Sequence, residues 1–363
     1  MDEKVIVTGA SGFVASHIVN ILLSERFHVI GTVRSKEKAE KLLYAFEHYY
    51  PYATLEVEIV PDIGVNGAFD ALFKKHPDTQ HVIHTACPVS LGEGVTLEQS
   101  YLIPAVHGTR NILEATQRLG KNVKHVVITS SFVAVNNKSR ANDPDFINFE
   151  ESWNPITWEN AQEDSREAYA AAKKLAEQYA WDFYEKNKDE LPWTLTSINP
   201  PLVFGPQIFE WGLDRNQLNF SAEMINSALK LPPDFEGPFD FPNGLCSDVR
   251  DVALVHMLPL RNGNLAGQRL IPICGTGLRG KNYEDGKWNL QRILEVIHKN
   301  FPELKGKVPV GKLQNNKQYL DKVTNYNNDI TCRLTGIEFK HFETTVRDTV
   351  KQILEYNSSR SKT

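Results

Sequence analysis

Cysteine is scarce: four among 363 residues (Cys87, Cys246, Cys274 and Cys332), far apart and with no CxxC pair. That spacing argues against a disulfide framework or a zinc cluster. Long apolar runs are missing as well. Nearly uncharged stretches such as 14–23 and 126–137 fall short of the ~20 apolar residues that cross a bilayer. No signal or transit peptide is legible ahead of the apolar run at 5–8, and the final Ser-Lys-Thr is not the Ser-Lys-Leu address. A cytoplasmic location without membrane attachment is expected. There is no basic excess, since Lys+Arg 40 against Asp+Glu 45 leaves a net charge of −5, so no nucleic-acid partner is expected. Neither HExxH nor Gly-x-Ser-x-Gly occurs, which leaves no motif for a zinc protease or a serine hydrolase. His81, His84 and Cys87 are spaced by three on a strand-like run, which sends neighbours to opposite faces, so no metal site is expected.

What is present suits a soluble globular enzyme: 41% apolar and 23% charged residues, in a chain long enough for two domains at roughly 150 residues each. The first half alternates strand-like runs (5–8, 28–33, 55–60, 81–85, 125–130, 193–198) with helix-like ones (13–23, 37–49, 68–75, 103–119, 166–186). Such alternation predicts an α/β fold, a doubly wound parallel sheet with crossover helices on both faces. After Asn199 the pattern breaks at Pro200, Pro201, Pro206, Pro232, Pro233, Pro238 and Pro242. The predicted division is therefore a first domain of 1–199 plus about 243–274, and a smaller, mostly helical C-terminal domain of about 200–242 and 275–356. A strand is expected at 269–274, and residues 357–363 are expected to be a disordered tail.

Directly after the first strand, Gly9-Ala10-Ser11-Gly12-Phe13-Val14-Ala15 fits G-x-x-G-x-x-A and opens a helix. Gly9 permits the tight turn, Gly12 lets a pyrophosphate approach the N–H groups at the helix N-terminus, and Ala15 allows close helix–strand packing. This predicts dinucleotide binding. NAD sites place Asp or Glu about 20 residues onward to hold the ribose hydroxyl, whereas here the second strand ends in Arg34, with Lys38 one helical turn later. Two cations where the helix dipole disfavours them suggest an anionic ligand. NADP(H), with its 2′-phosphate, is the expected cofactor.

Tyr-x-x-x-Lys occurs three times. Tyr283–Lys287 spans a loop, and Tyr184–Lys188 lies at a frayed helix end. Tyr169–Lys173 sits in the first turns of a strong helix, where residues four apart share a face. A tyrosine titrates near ~10, and a lysine ammonium one turn away favours its phenolate, as proton transfer requires. Ser130 and Ser131, ending the fifth strand, alternate to opposite faces, and either could hydrogen-bond a substrate carbonyl.

Together with His84-Thr85-Ala86, Asn199-Pro200, Phe204-Gly205-Pro206 and Asp248-Val249-Arg250-Asp251-Val252-Ala253, these segments resemble the extended short-chain dehydrogenase/reductase family. Gly31-Thr32-Val33-Arg34-Ser35, Glu150-Glu151-Ser152-Trp153-Asn154 and Phe204-Gly205-Pro206-Gln207 are similar to its branch of yeast NADPH-dependent methylglyoxal/aldehyde reductases, related to plant dihydroflavonol reductases. The resemblance implies a Rossmann fold and catalysis by Ser131, Tyr169 and Lys173. It implies cofactor contacts at Gly9, Ala10, Ser11, Gly12, Phe13, Val14, Arg34, Lys38, Asp62, Ile63, Thr85, Ala86, Tyr169, Lys173, Pro200, Val203 and Ser221. The substrate pocket is expected at Val89, Phe132, Arg166 and Leu202. Two departures from the family pattern stand out: His107 replaces the usual Asn before Gly-Thr, and Arg166 stands where a smaller apolar residue is usual.

The expected function is NADPH-dependent reduction of aldehydes and ketones to alcohols, by a monomer or homodimer acting on a small-molecule carbonyl substrate. The alternatives on the same fold are a nucleotide-sugar epimerase or dehydratase, which would normally retain NAD, and a non-catalytic NADP-binding redox sensor.

Overall fold

The computed structural model describes residues 3–87, 95–141, 143, 145–162, 164–214, 218–277, 280 and 282–360. In chain order its elements begin β1 (Lys4–Thr8), α1 (Phe13–Ser24), β2 (His28–Val33), α2 (Lys36–Tyr49), β3 (Leu55–Ile59), α3 (Asp70–Lys75), β4 (His81–His84), α4 (Ile103–Leu119) and β5 (His125–Thr129). They continue β6 (Ile147–Asn148), α5 (Ser165–Asn187), β7 (Thr194–Ile198), β8 (Leu202–Phe204), α6 (Phe220–Leu229), β9 (Asn243–Asp248), α7 (Val249–Met257) and β10 (Arg269–Leu270). The last are β11 (Lys287–Asn289), α8 (Leu290–Asn300), α9 (Asn316–Leu320), β12 (Asn325–Tyr326), α10 (Asp329–Thr335) and α11 (Phe342–Arg360). The chain forms two compact units, one of 1–137, 151–199 and 253–270, the other of 138–150, 200–252 and 271–363.

The first unit is a seven-stranded sheet ordered β10-β7-β5-β4-β1-β2-β3, with every pairing parallel. One row of register partners crosses it: Ile30, Ile6, Val82, Val126 and Leu195, all fully buried. Burial of both faces explains why these strands read as continuous apolar runs instead of alternating ones. The order reverses between β2 and β4, on either side of β1, and open α/β sheets bind ligands beyond the carboxyl ends of strands at such a point. Gly9 follows β1 there with φ +70°, and a Cβ on it would lie 3.1 Å from the Ala86 backbone.

Gly31, in β2, supports that turn from beneath. A Cβ at position 31 would stand 2.8 Å from the Cβ of Ala10, while Ala10 N donates to Thr32 O at 2.9 Å. Gly31→Ala is expected to destabilise the chain by about 1–3 kcal/mol through overpacking and to weaken dinucleotide binding, because Ala10 must shift. Urea unfolding and a binding titration check this. An unaltered unfolding midpoint would show that the turn yields freely.

The second unit contains the three-stranded sheet β11-β9-β8 and helices α6, α8 and α11. Its core joins Phe204, Trp288, Ile293, Leu294, Phe342, Val346 and Val350, with the Phe204 and Trp288 rings edge-on at 5.1 Å. Four features depart from the sequence expectation. Residues 138–150 join this unit because β6 pairs with β12 and Glu150 accepts two 2.7 Å bonds from Thr331. Residues 243–252 join it because β9 pairs with β8 and β11. The strand expected at 269–274 stops at Leu270, since Ile271 N donates to Thr331 Oγ1 and Cys274 N to Cys246 O, both at 2.9 Å. The disorder expected from Asn357 also gives way through Arg360. There α11 continues, with Ser358 Oγ on Leu354 O (2.8 Å) and Arg360 paired with Asp214.

Candidate active site

The glycine turn delivers the chain into α1 with an open N-terminus. Gly12 is its N-cap, no side chain caps it, and no acidic residue lies in its first turn. Free N–H groups at a helix N-terminus favour an anion. A Cβ on Gly12 would fall 3.2 Å from Gly9 O, so the glycine keeps this cradle open. Thr8, just before it, accepts from the N–H groups of Thr85 and Ala86 at 3.1 Å each. Its own proton therefore goes to His84 Nδ1, 2.8 Å away, and the imidazole proton sits on Nε2. Burial, with Lys173 nearby, pushes the His84 pKa down to about 3, so this ring is neutral.

At the end of β2, Arg34 and Lys38 are both exposed, and neither has a carboxylate partner among the described residues. The neighbouring ammonium is engaged, since Lys36 pairs with Glu40 at 3.6 Å. The residues present thus fit a phosphorylated dinucleotide: free amides at α1, small residues where a backbone must be approached, and two unpaired cations at the edge.

On α5, Asp164 caps the helix by accepting from Arg166 N and Glu167 N. This fixes the first turn, two residues before Tyr169. Tyr169 and Lys173 share one face, and Lys173 Nζ donates to Thr129 O at 2.8 Å. The two serines divide as strand alternation demands. Ser131 lies on the Tyr169 side and favours the tyrosine's phenolate, whereas Ser130 Oγ donates to Glu177 at 2.6 Å on the other side. Burial raises the Tyr169 pKa, with the Lys173 ammonium and Ser131 acting against it. Tyr169 therefore carries its proton at neutral pH. The ring of Tyr101, in the π-helical turn Glu98–Leu102 that leads into α4, packs edge-on against that of Tyr169 at 6.3 Å.

The other two tyrosine–lysine pairs have structural roles. Tyr184 packs on Trp193 at 5.9 Å. Tyr283 donates to Asn325 Oδ1 at 2.9 Å, and Lys287 Nζ is held by Val323 O and Asn325 Oδ1.

The remaining expected site residues spread more widely. Thr85 and Ala86 lie beside the glycine turn, as the bonds to Thr8 show. Asp62 is exposed and its Oδ1 accepts from Gly64 N at 2.8 Å. Ile63 is buried, and a Cβ on Gly108 of α4 would meet its Cδ1 at 2.6 Å. Phe132 is buried in the short turn after Ser131, and Arg166 is exposed in the first turn of α5. Pro200, Leu202, Val203 and Ser221 belong to the second unit. There Leu202 packs on the core and Ser221 Oγ accepts from Asn219 Nδ2. Val89 lies outside the described residues. His81 stacks on His125 (5.4 Å) while His84 engages Thr8, so the two imidazoles have separate partners. A cluster of Glu56, Glu58 and His76 has ligand atoms within 4.8 Å of one another. Lys75 reaches Glu58 and His28 reaches Glu56, each at 2.6 Å, so ion pairs already account for it.

Sequence reading missed Glu177 and Arg269. Glu177 follows Lys173 by one helical turn, and the i, i+4, i+8 series Tyr169, Lys173, Glu177 was the available signal. Its buried carboxylate pairs with Arg269 Nε at 2.7 Å.

The sequence pattern of the NAD dependent epimerase/dehydratase family matches residues 5–236. The chain belongs to this family. Within it, the chain is 39% identical to the NADPH-dependent methylglyoxal reductase Gre2 of Saccharomyces cerevisiae, over 97% of this chain and 98% of that protein. It is 32% identical to the ketoreductase azaE of Aspergillus niger, over 97% and 98% of the two chains. The crystal structure of yeast methylglyoxal/isovaleraldehyde reductase Gre2 complexed with NADPH superposes with a TM-score of 0.88, at 38% identity over 98% of this chain and 99% of that one. Membership of the extended short-chain branch of the family agrees with the parallel sheet and the glycine turn. Among the described residues, no helix is long and apolar enough to cross a membrane.

Proposed function

We propose that the chain is an NADPH-dependent carbonyl reductase that converts aldehydes and ketones to alcohols. The observation that carries this reading is the placement of Ser131, Tyr169 and Lys173 together at the carboxyl edge of the sheet that holds the glycine turn. NADPH, when bound, supplies the hydride that reaches the carbonyl carbon. Ser131 hydrogen-bonds the carbonyl oxygen, Tyr169 delivers the proton to it, and Lys173 stabilises the phenolate that remains. Gly9, Gly12 and the amides of α1 hold the pyrophosphate, and Arg34 with Lys38 holds the 2′-phosphate. The unpaired cations at the end of β2 favour this assignment over an NAD-retaining epimerase. Small α-oxoaldehydes such as methylglyoxal, the substrate in the name of the yeast relative, belong to the expected range.

The direct test is NADPH oxidation with a panel of aldehydes, ketones and α-dicarbonyls. Turnover of several of these is expected. No turnover, together with conversion of nucleotide sugars by a tightly held NAD, would move the assignment to an epimerase.

The surroundings of the reacting group also set a preference. Phe132 follows Ser131 directly, and Tyr101 packs on Tyr169, so the carbonyl substituent is expected to be apolar. Each buried methylene contributes about 0.8 kcal/mol, or roughly four-fold in kcat/KM. A homologous series of alkyl ketones should therefore rise until the pocket is full. A flat series would exclude an apolar pocket.

A further inference from the structure

Glu177 is 1% exposed, and a carboxylate that deep is tolerated only when donors saturate both of its oxygens. Here they do. Oε2 accepts from Ser130 Oγ and Asn199 Nδ2, each at 2.6 Å. Oε1 accepts from Ser197 Oγ at 2.8 Å and Arg269 Nε at 2.7 Å. The guanidinium of Arg269 also donates to Ser152 O at 2.6 Å and lies 3.8 Å over the Trp153 ring. One carboxylate on α5 is thereby tied to the ends of β5 and β7, to β10 and to the 151–154 segment.

These ties converge on the reacting groups. Asn199 Nδ2 also donates to Ser131 O, at 3.4 Å. Asn154 of the same segment clamps the turn after Ser131, bonding Ala134 O and Val133 O at 2.8 Å each. On the helix side, Lys173 and Tyr169 lie about 6 and 12 Å back along α5, at 1.5 Å per residue. We infer that Glu177 is a positioning residue for the reaction: through the Ser130 hydroxyl and the Asn199 amide it sets the main chain at 130–131 against α5, and so holds Ser131 in register with Tyr169. This inference rests on the reductase reading above. It is distinct from a general stabilising role, in which every donor to the carboxylate would count alike.

Ser130 and Ser197 make that distinction measurable. Each donates its hydroxyl to the same buried carboxylate, and Ser197 Oγ also reaches Asn199 Oδ1 at 3.2 Å, but only Ser130 adjoins Ser131. In the full-length chain, Ser130→Ala and Ser197→Ala should lower the thermal midpoint comparably. Only Ser130→Ala should lower kcat, by about 10–100-fold, the scale of a small misplacement of reacting groups. NADPH affinity should stay unchanged in both. The isosteric pair Ser130→Thr and Ser130→Val repeats the contrast at constant shape, with the hydroxyl-bearing variant keeping the higher kcat. Full kcat in Ser130→Ala, equal losses from the two serines, or equal kcat in the threonine and valine variants would overturn the inference. Tyr169→Phe, assayed alongside, separates the two levels: if it keeps full turnover, the reductase site itself is misassigned.

Discussion

Replacing Tyr169 by phenylalanine is expected to lower kcat by about 10²–10⁴-fold, the usual contribution of a positioned proton donor. The change removes one oxygen and keeps the ring, so packing against Tyr101 survives and NADPH affinity should stay nearly unchanged. The size of the loss follows from the surroundings of that oxygen. Ser131 and the Lys173 ammonium favour its phenolate, while burial holds its pKa above the ordinary tyrosine value. A raised pKa keeps the phenol protonated at neutral pH, as a donor in the reductive direction must be. Reduction should therefore persist below that pKa and fall as pH rises through it. Oxidation of the alcohol, which needs the phenolate, should gain over the same range. Tyr184→Phe is the matched control, because its ring packs on Trp193 at the far end of α5. Near-normal turnover in Tyr169→Phe with loss in Tyr184→Phe would place the chemistry on the wrong tyrosine.

The second large effect concerns cofactor choice. Charge-assisted hydrogen bonds to a phosphate contribute ~1.5–3 kcal/mol each, and Arg34 can offer a planar fork with Lys38 as a point charge. Both side chains are exposed, so solvent and salt screen part of this. A preference of about 10- to 1000-fold for NADPH over NADH is expected. Arg34→Ala should weaken NADPH binding and leave NADH binding nearly unchanged, because NADH has no 2′-phosphate to lose. The preference should also shrink with added salt. Equal KM values for both cofactors, or equal damage to both from Arg34→Ala, would assign these cations to the protein surface alone.

Local chemistry was legible from the chain, because the physics behind it is local. The strand–glycine–helix turn from Val5 to Ala15 needs only neighbouring residues, and so does the shared face of Tyr169 and Lys173. That β2 runs into Arg34 instead of an acidic residue is equally a matter of position in the chain. Buried parallel strands announce themselves as short apolar runs, which is why the order of elements in the first half could be read directly.

Tertiary structure alone decided what depends on which face meets which neighbour. Strand alternation separates Ser130 from Ser131, but only the packing of α5 shows that Ser131 meets Tyr169 and Ser130 meets Glu177. The Glu177–Arg269 pair joins residues 92 positions apart, and no periodicity reports a contact of that range. The same holds for residues 138–150, drawn into the second unit by pairing of β6 with β12. The Ser-rich end of α11 reads as a tail by composition, yet it stays helical through Arg360, where Ser358 Oγ and Ser359 Oγ donate to Leu354 O and Tyr356 O and the Arg360 guanidinium meets Asp214, 146 residues earlier. Contacts of that range are set by the fold and leave no trace in local composition.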